Sequence, residues 1–127
     1  MSIPSTADNC RRILDKIDFL LRVQKIAEGV DQVEPLMADL LSAIKKSPLC
    51  RPEIEAYFEQ IVRSIDIDSV EVLQYCMHGL RWEGLRVLGS SLLREGCSPE
   101  RRRLYERFLE SFSDSWPERD LYDTFME

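Results

Sequence analysis

PEIEAYFEQIVRSI, residues 52–65, is the stretch that decides the fold class. Ile54, Tyr57, Phe58, Ile61, Val62 and Ile65 recur three and four apart. That spacing lines apolar side chains along one face of an α-helix. Pro52 suits the first helical position, where no intrahelical donor is required. Asp66-Ile67-Asp68 follows as a connection. It is so short that the next helix should return roughly antiparallel.

Working towards the N-terminus, Val33, Leu36, Met37, Leu40, Leu41 and Ile44 form a second stripe. Asp31 and Glu34 have capping-box spacing, and Pro35 falls in the expected first turn. Lys45 and Lys46 suit the negative end of the helix dipole, and Ser47-Pro48 ends the helix. A first helix should begin at Ser5 or Thr6, with Ser5 and Asp8 as its box. Ile13, Ile17, Leu20 and Leu21, joined by Phe19 and Ile26, form its apolar side. Gly29 can stop it.

Working towards the C-terminus, Asp68 and Glu71 repeat the box ahead of Val72, Leu73, Cys76, Met77 and Leu80. Gly79 weakens the last turn of that helix, and Arg81-Trp82 begins a new segment. Trp82, Leu85, Leu88, Leu92 and Leu93 continue the helical period to Gly96, a good C-cap. Gly89-Ser90-Ser91 is small enough to let another helix approach closely. Ser98-Pro99-Glu100 opens a further helix carrying Leu104, Tyr105, Phe108, Leu109 and Phe112. Pro117 can open a short terminal helix with Leu121, Tyr122 and Phe125, so residues 116–127 are a short helix or a tail. No segment alternates strictly, so no strand is expected. The expected architecture is one all-α domain over residues 1–127. It has about six or seven antiparallel helices, in stacked pairs or an irregular closed bundle.

Composition sets the outer bounds. A chain of 127 residues buries roughly two thirds of its unfolded surface in one core, which needs no staple. Hydrophobic residues at 44% and charged residues at 31% give an ordinary globular balance. The net charge of -6 disfavours nucleic acid and would steer a basic protein partner towards the domain. Cys10, Cys50, Cys76 and Cys97 include no C-x-x-C pair, and His78 is the lone histidine, so no metal site is expected. Cys76 suits a buried free thiol. The N-terminus has no signal-like character, and no apolar run approaches the ~18 residues of a membrane span. A reducing cytoplasm is the expected location.

No nucleotide-binding glycine loop, zinc-protease helix or nucleophile elbow occurs. Cys76 and His78 lie two residues apart, so on a helix they point about 200° apart and cannot meet. His78 could meet Cys10, Cys50 or Cys97 only across the fold. Neither a catalytic residue nor a cofactor is therefore expected. Asp66, Asp68 and Glu71 cluster at one helix start, either as a cap or as an acidic rim for a basic partner. Arg101, Arg102 and Arg103 lie near Arg94 and Arg107, with Glu95, Glu100 and Glu106 interleaved. That pattern fits a solvated, salt-bridged face, or a local patch for an acidic partner or RNA. The tail turns acidic again at Asp114, Glu118, Asp120 and Asp123. Trp116 and Tyr122, set among those acids, are the candidate interface anchors. The expected partner-binding set is Asp66, Asp68, Glu71, Trp116, Glu118, Asp120, Tyr122 and Asp123.

The stretch VEVLQYCMHGLRW, residues 70–82, with residues 83–96 after it, resembles a HEAT-like helical hairpin. It is also similar to small α-helical immunity proteins of bacterial toxin systems. The resemblance implies a protein-binding role without catalysis and assigns no particular binding residue. A non-catalytic inhibitor that occludes a basic partner, such as a toxin domain, is the function it suggests. A homo-oligomeric structural or regulatory subunit and a small enzyme are the alternatives, with the oligomeric state left open.

Overall fold

A computed structural model describes residues 6–26 and 30–113. The protein is all-α. Its helices are α1 (Thr6–Ile26), α2 (Val30–Lys45), α3 (Arg51–Arg63), α4 (Ile67–Leu80), α5 (Glu83–Glu95) and α6 (Pro99–Glu110). A 3-10 turn, Pro48–Cys50, precedes α3. No strand occurs among the described residues. The expected terminal helix from Pro117 lies outside them, as do Ser5 and Gly29.

The core forms around α4. Val70, Val72, Leu73, Gln74, Tyr75, Cys76 and Met77 are all buried, so this helix is covered almost all round. A helix apolar on every side belongs in an interior rather than on a surface. Its principal neighbours are α1, α2 and α6, whereas α5 packs mainly on α3 and α6. The stripe of α3 behaves as its spacing predicts, with Ile54, Phe58 and Val62 fully buried. Two glycines permit close approaches. A Cβ at Gly79 would lie 2.7 Å from a methyl of Leu41 on α2. At Gly89 it would lie 3.0 Å from the Phe108 ring of α6, the close approach expected of the Gly89-Ser90-Ser91 stretch.

Helix directions follow from paired contacts. Gln74 reaches Arg107 and His78 reaches Ser111, each 33 residues on, so α4 and α6 run the same way. Cys10 joins Cys50 and Tyr57 meets Asp18, at separations of 40 and 39, so α1 and α3 also run the same way. In each pair one helix intervenes in sequence and reverses the chain between them.

Several local expectations shift. Phe19 and Ile26 stand outside the apolar side of α1, at 51% and 80% exposure, because the line that meets the core runs through Cys10, Ile13, Ile17 and Leu20. Helix α2 begins at Val30, ahead of the expected box, which leaves Pro35 inside the helix instead of in its first turn. The cap of α4 is Asp66, not Asp68. Its extended backbone (φ -141°, ψ 179°) turns the carboxylate onto the backbone N–H groups of Asp68 and Ser69, at 3.0 and 2.8 Å. Ser69 Oγ accepts from the Asp66 N–H at 3.0 Å and completes the box. Arg81 closes α4 in the left-handed conformation (φ 52°), and Gly96 follows α5 at φ 94°.

A staple is also present where none was expected. Cys10 and Cys50 form a disulfide that ties the start of α1 to the start of α3, with Cα atoms 5.3 Å apart. Spacing of 40 residues carries no pairing signal, because four cysteines allow several connectivities.

Candidate binding groove

The connection between α3 and α4 forms one wall of a groove, and the first two turns of α6 form the other. The groove encloses about 680 Å³. Ser64, Ile65, Asp66 and Ile67 line the first wall, and Glu100, Arg101, Arg103, Leu104 and Arg107 line the second.

Each wall is fixed by polar contacts that the local sequence supplies. On the first, Asp66 is held by its own cap. Ile67, as the first residue of α4, has no preceding turn to lie against, and 70% of it is exposed. On the second, Ser98 Oγ accepts from the Arg101 N–H at 3.3 Å and starts α6. The buried Tyr105 hydroxyl donates to the Val62 carbonyl at 2.9 Å, which locks α6 to the end of α3. Burial raises the Tyr105 phenol above its ordinary pKa, against a lowering pull from Arg101 and Arg63. Gln74 Nε2 donates to the Arg107 carbonyl at 2.8 Å, and Arg107 Nη2 donates back to Gln74 Oε1 at 3.4 Å. His78 Nδ1 lies 3.0 Å from the Ser111 carbonyl. The last carbonyls of a helix lack intrahelical partners, so Gln74 and His78 serve α6 where it needs donors.

The expected acids separate in space. Asp66 faces the groove. Asp68 lies half-buried in the first turn of α4, away from the lining. Glu71 turns to the other side and accepts from Gln24 Nε2 on α1. Trp116, Glu118, Asp120, Tyr122 and Asp123 lie outside the described residues. The groove instead brings Asp66 opposite Arg101 and Arg103, two clusters that sequence spacing kept apart. Arg102 points elsewhere and pairs with Glu106 at 3.4 Å, as a salt-bridged helix face predicts. Ile67 and Leu104 were missed as site residues. The available signal was an isolated isoleucine between two aspartates in a polar turn.

The cysteines and the histidine take other roles. Cys10 and Cys50 are joined to each other. Cys76 is sealed in the core, and burial pushes its thiol up to about 12, so it stays protonated and poorly nucleophilic. Cys97 is half-buried. No group of three metal-ligating side chains gathers among the described residues. No helix among them is long and apolar enough to cross a membrane.

Comparison with models of protein families, with curated proteins and with solved structures finds no match to this chain.

Proposed function

We propose that this domain is a non-catalytic protein-binding module, an inhibitor of the immunity or antitoxin kind that occludes a basic partner protein. One observation carries this: Ile67 is largely exposed in the lining of the groove beside Asp66, with Asp68 next to it in sequence. An apolar side chain beside carboxylates suits a desolvated contact surrounded by charge. The net charge of -6 would speed the approach of a basic protein. The arginine wall opposite gives the rim a sense of direction, which favours docking in one orientation. Trp116 and Tyr122, with Glu118, Asp120 and Asp123, are proposed to extend the same surface.

The test is affinity capture from the native cell, followed by association kinetics with the captured protein. Asp66→Asn keeps a good N-cap while removing its charge, and Asp68→Lys reverses the neighbouring one. The double variant should associate more slowly, with a weaker dependence on salt, while remaining folded. An association rate and salt slope equal to the unmodified protein's would overturn the electrostatic docking. Concentration-dependent mass by light scattering, with no partner captured, would favour the homo-oligomeric alternative.

The cytoplasm remains the proposed location, under a condition set by the disulfide. Both sulfurs are buried, so a reductant reaches the bond only when helices open. Reducing compartments otherwise oppose such bonds. Alkylation under denaturing conditions, on protein taken from its native cell, should modify Cys76 and Cys97 while sparing Cys10 and Cys50. Modification of all four would show that the bond does not form there.

A further inference from the structure

We infer that the outward face of α1 is a self-pairing surface, on which two copies of the chain meet antiparallel about Phe19. Arg12, Asp15, Phe19, Arg22 and Ile26 recur three and four apart, so they share one stripe of the helix. All are exposed, on the side turned away from the line of Cys10, Ile13, Ile17 and Leu20 that meets the core. Phe19 and Ile26 are large apolar side chains left in water. Neither Asp15 nor Arg22 has an ion-pair partner among the described residues. The stripe thus offers apolar surface and both signs of charge, and its own fold uses none of them.

The order of the stripe selects the occupant. Along the helix axis, Asp15 lies about 6 Å before Phe19 and Arg22 about 4.5 Å after it. Arg12 and Ile26 lie about 10.5 Å to either side. A two-fold axis beside Phe19 therefore sets Asp15 of each copy against Arg22 of the other, in a reciprocal pair of contacts. The same operation lays the aliphatic stem of Arg12 over Ile26 of the second copy. Asp15, Asp18, Leu21 and Arg22 line a recess of about 510 Å³. Asp15, Asp18, Phe19 and Arg22 stand at i, i+3, i+4 and i+7, the corners of the hole that receives a side chain from a facing helix. Phe19 of the second copy is the side chain placed to enter it. A partner of one charge would satisfy Asp15 or Arg22, whereas a reversed copy satisfies both. The net charge of -6 on each copy opposes meetings in other registers, where nothing offsets the repulsion. One helix face covers less than the ~1,200–2,000 Å² of a stable interface, so the pairing is weak and concentration-dependent. The stripe shares no residue with the groove, and the inference does not depend on the inhibitor role.

Analytical ultracentrifugation of the full chain tests this. From about 1 µM to about 1 mM the mass should rise from monomer towards dimer. Phe19→Glu should hold the chain monomeric across that range. Asp15→Arg alone, or Arg22→Asp alone, sets like charges together at both contacts and should weaken pairing more than about tenfold. An equimolar mixture of those two variants should regain it, because each then supplies at both contacts the charge that the other needs. The changed positions are exposed, and circular dichroism checks that helix content is kept. Amide shifts of the unmodified chain, followed by NMR on dilution, locate the face without any substitution and should change over residues 12–26. The inference is overturned by a chain that stays monomeric throughout, or by a dimer indifferent to Phe19→Glu. Dilution shifts confined to the groove, or a mixture that pairs no better than either variant alone, would overturn it equally.

Discussion

Two pairs of helices in this protein run the same way with one helix intervening, yet they are held by different chemistry. The pair α1 and α3 is tied by the Cys10–Cys50 bond and by polar contacts on the outside. Asn9 Nδ2 donates to Ser47 Oγ at 3.0 Å nearby, and the Tyr57 hydroxyl donates to Asp18. The pair α4 and α6 has no covalent tie. It relies on Gln74 and His78, which serve the carbonyls of α6, and on Phe108, which lies fully buried against Gly89 of α5. A covalent link acts mainly by restricting the unfolded chain, whereas packing and buried hydrogen bonds act in the folded one. The α6 wall of the groove therefore stands on the half of the molecule that depends on fit.

Phe108→Ala should expose that dependence most strongly. The ring makes an edge-on contact with Phe112, centroids 5.4 Å apart, and its loss would leave a cavity under Gly89. Large-to-small changes at buried phenylalanine cost about 3–5 kcal/mol. Urea unfolding should show a loss of that size, with groove residues 99–107 exchanging amide hydrogen faster. A cost below about 1 kcal/mol would mean that α6 is held elsewhere.

Breaking the other pair should cost somewhat less. Cys50→Ser removes a bond closing a loop of about 40 residues, worth about 3–4 kcal/mol by chain entropy. The unmodified protein in reductant should lose a similar amount, measured as the shift in urea midpoint. Hydrogen exchange at the groove should stay as it was until global unfolding. Early loss of groove protection on reduction would show that the two pairs are not independent.

The contrast between the pairs also explains what the sequence could disclose. The apolar stripes of α3 and α6 and the starts at Pro52 and Ser98 follow from spacing and cap chemistry, which are local. The near-complete burial of α4 was only partly legible, because the stripe Val72, Leu73, Cys76, Met77 and Leu80 does not include Gln74 and Tyr75, which packing covers as well. The shift of its cap from Asp68 to Asp66 was hidden because both aspartates can accept from the same turn, and Ser69 decides between them. The disulfide and the meeting of Asp66 with Arg101 join residues 40 and 35 apart in sequence, so only the packing of helices brings them together. No periodicity carries that information.

Alkaline titration sharpens the comparison, since the groups raised to about 12 sit on α4 and a further raised phenol, Tyr105, sits on α6. Burial raises the Cys76 thiol from 9.0 to about 12 and, with help from the Glu34 carboxylate, the Tyr75 phenol from 10.0 to about 12. Both groups are neutral when protonated, and the unfolded chain loses these protons first. Their contribution is therefore intact below pH 9 and is lost as pH rises towards 12. Stability by urea unfolding should fall over that window. Cys76→Ala should start from a lower value and fall less steeply, and equal slopes for the two proteins would remove the thiol from the account.

The smallest effects test burial alone, by setting a tie within the α4–α6 pair against one between α1 and α2. Gln74→Ala strips a donor from the Arg107 carbonyl at the α4–α6 seam, where Gln74 is fully covered. Leaving a buried acceptor without its donor costs about 1–3 kcal/mol. Lys16→Ala breaks an ion pair with Asp39 of comparable length, 2.7 Å, between side chains that are 46% and 63% exposed. Water and salt compete for such a pair, so its removal should cost about 0–1 kcal/mol and less at high ionic strength. The two contacts differ little in distance and greatly in solvent access. If urea unfolding gave both variants the same cost, burial would not be what sets the strength of polar ties in this fold.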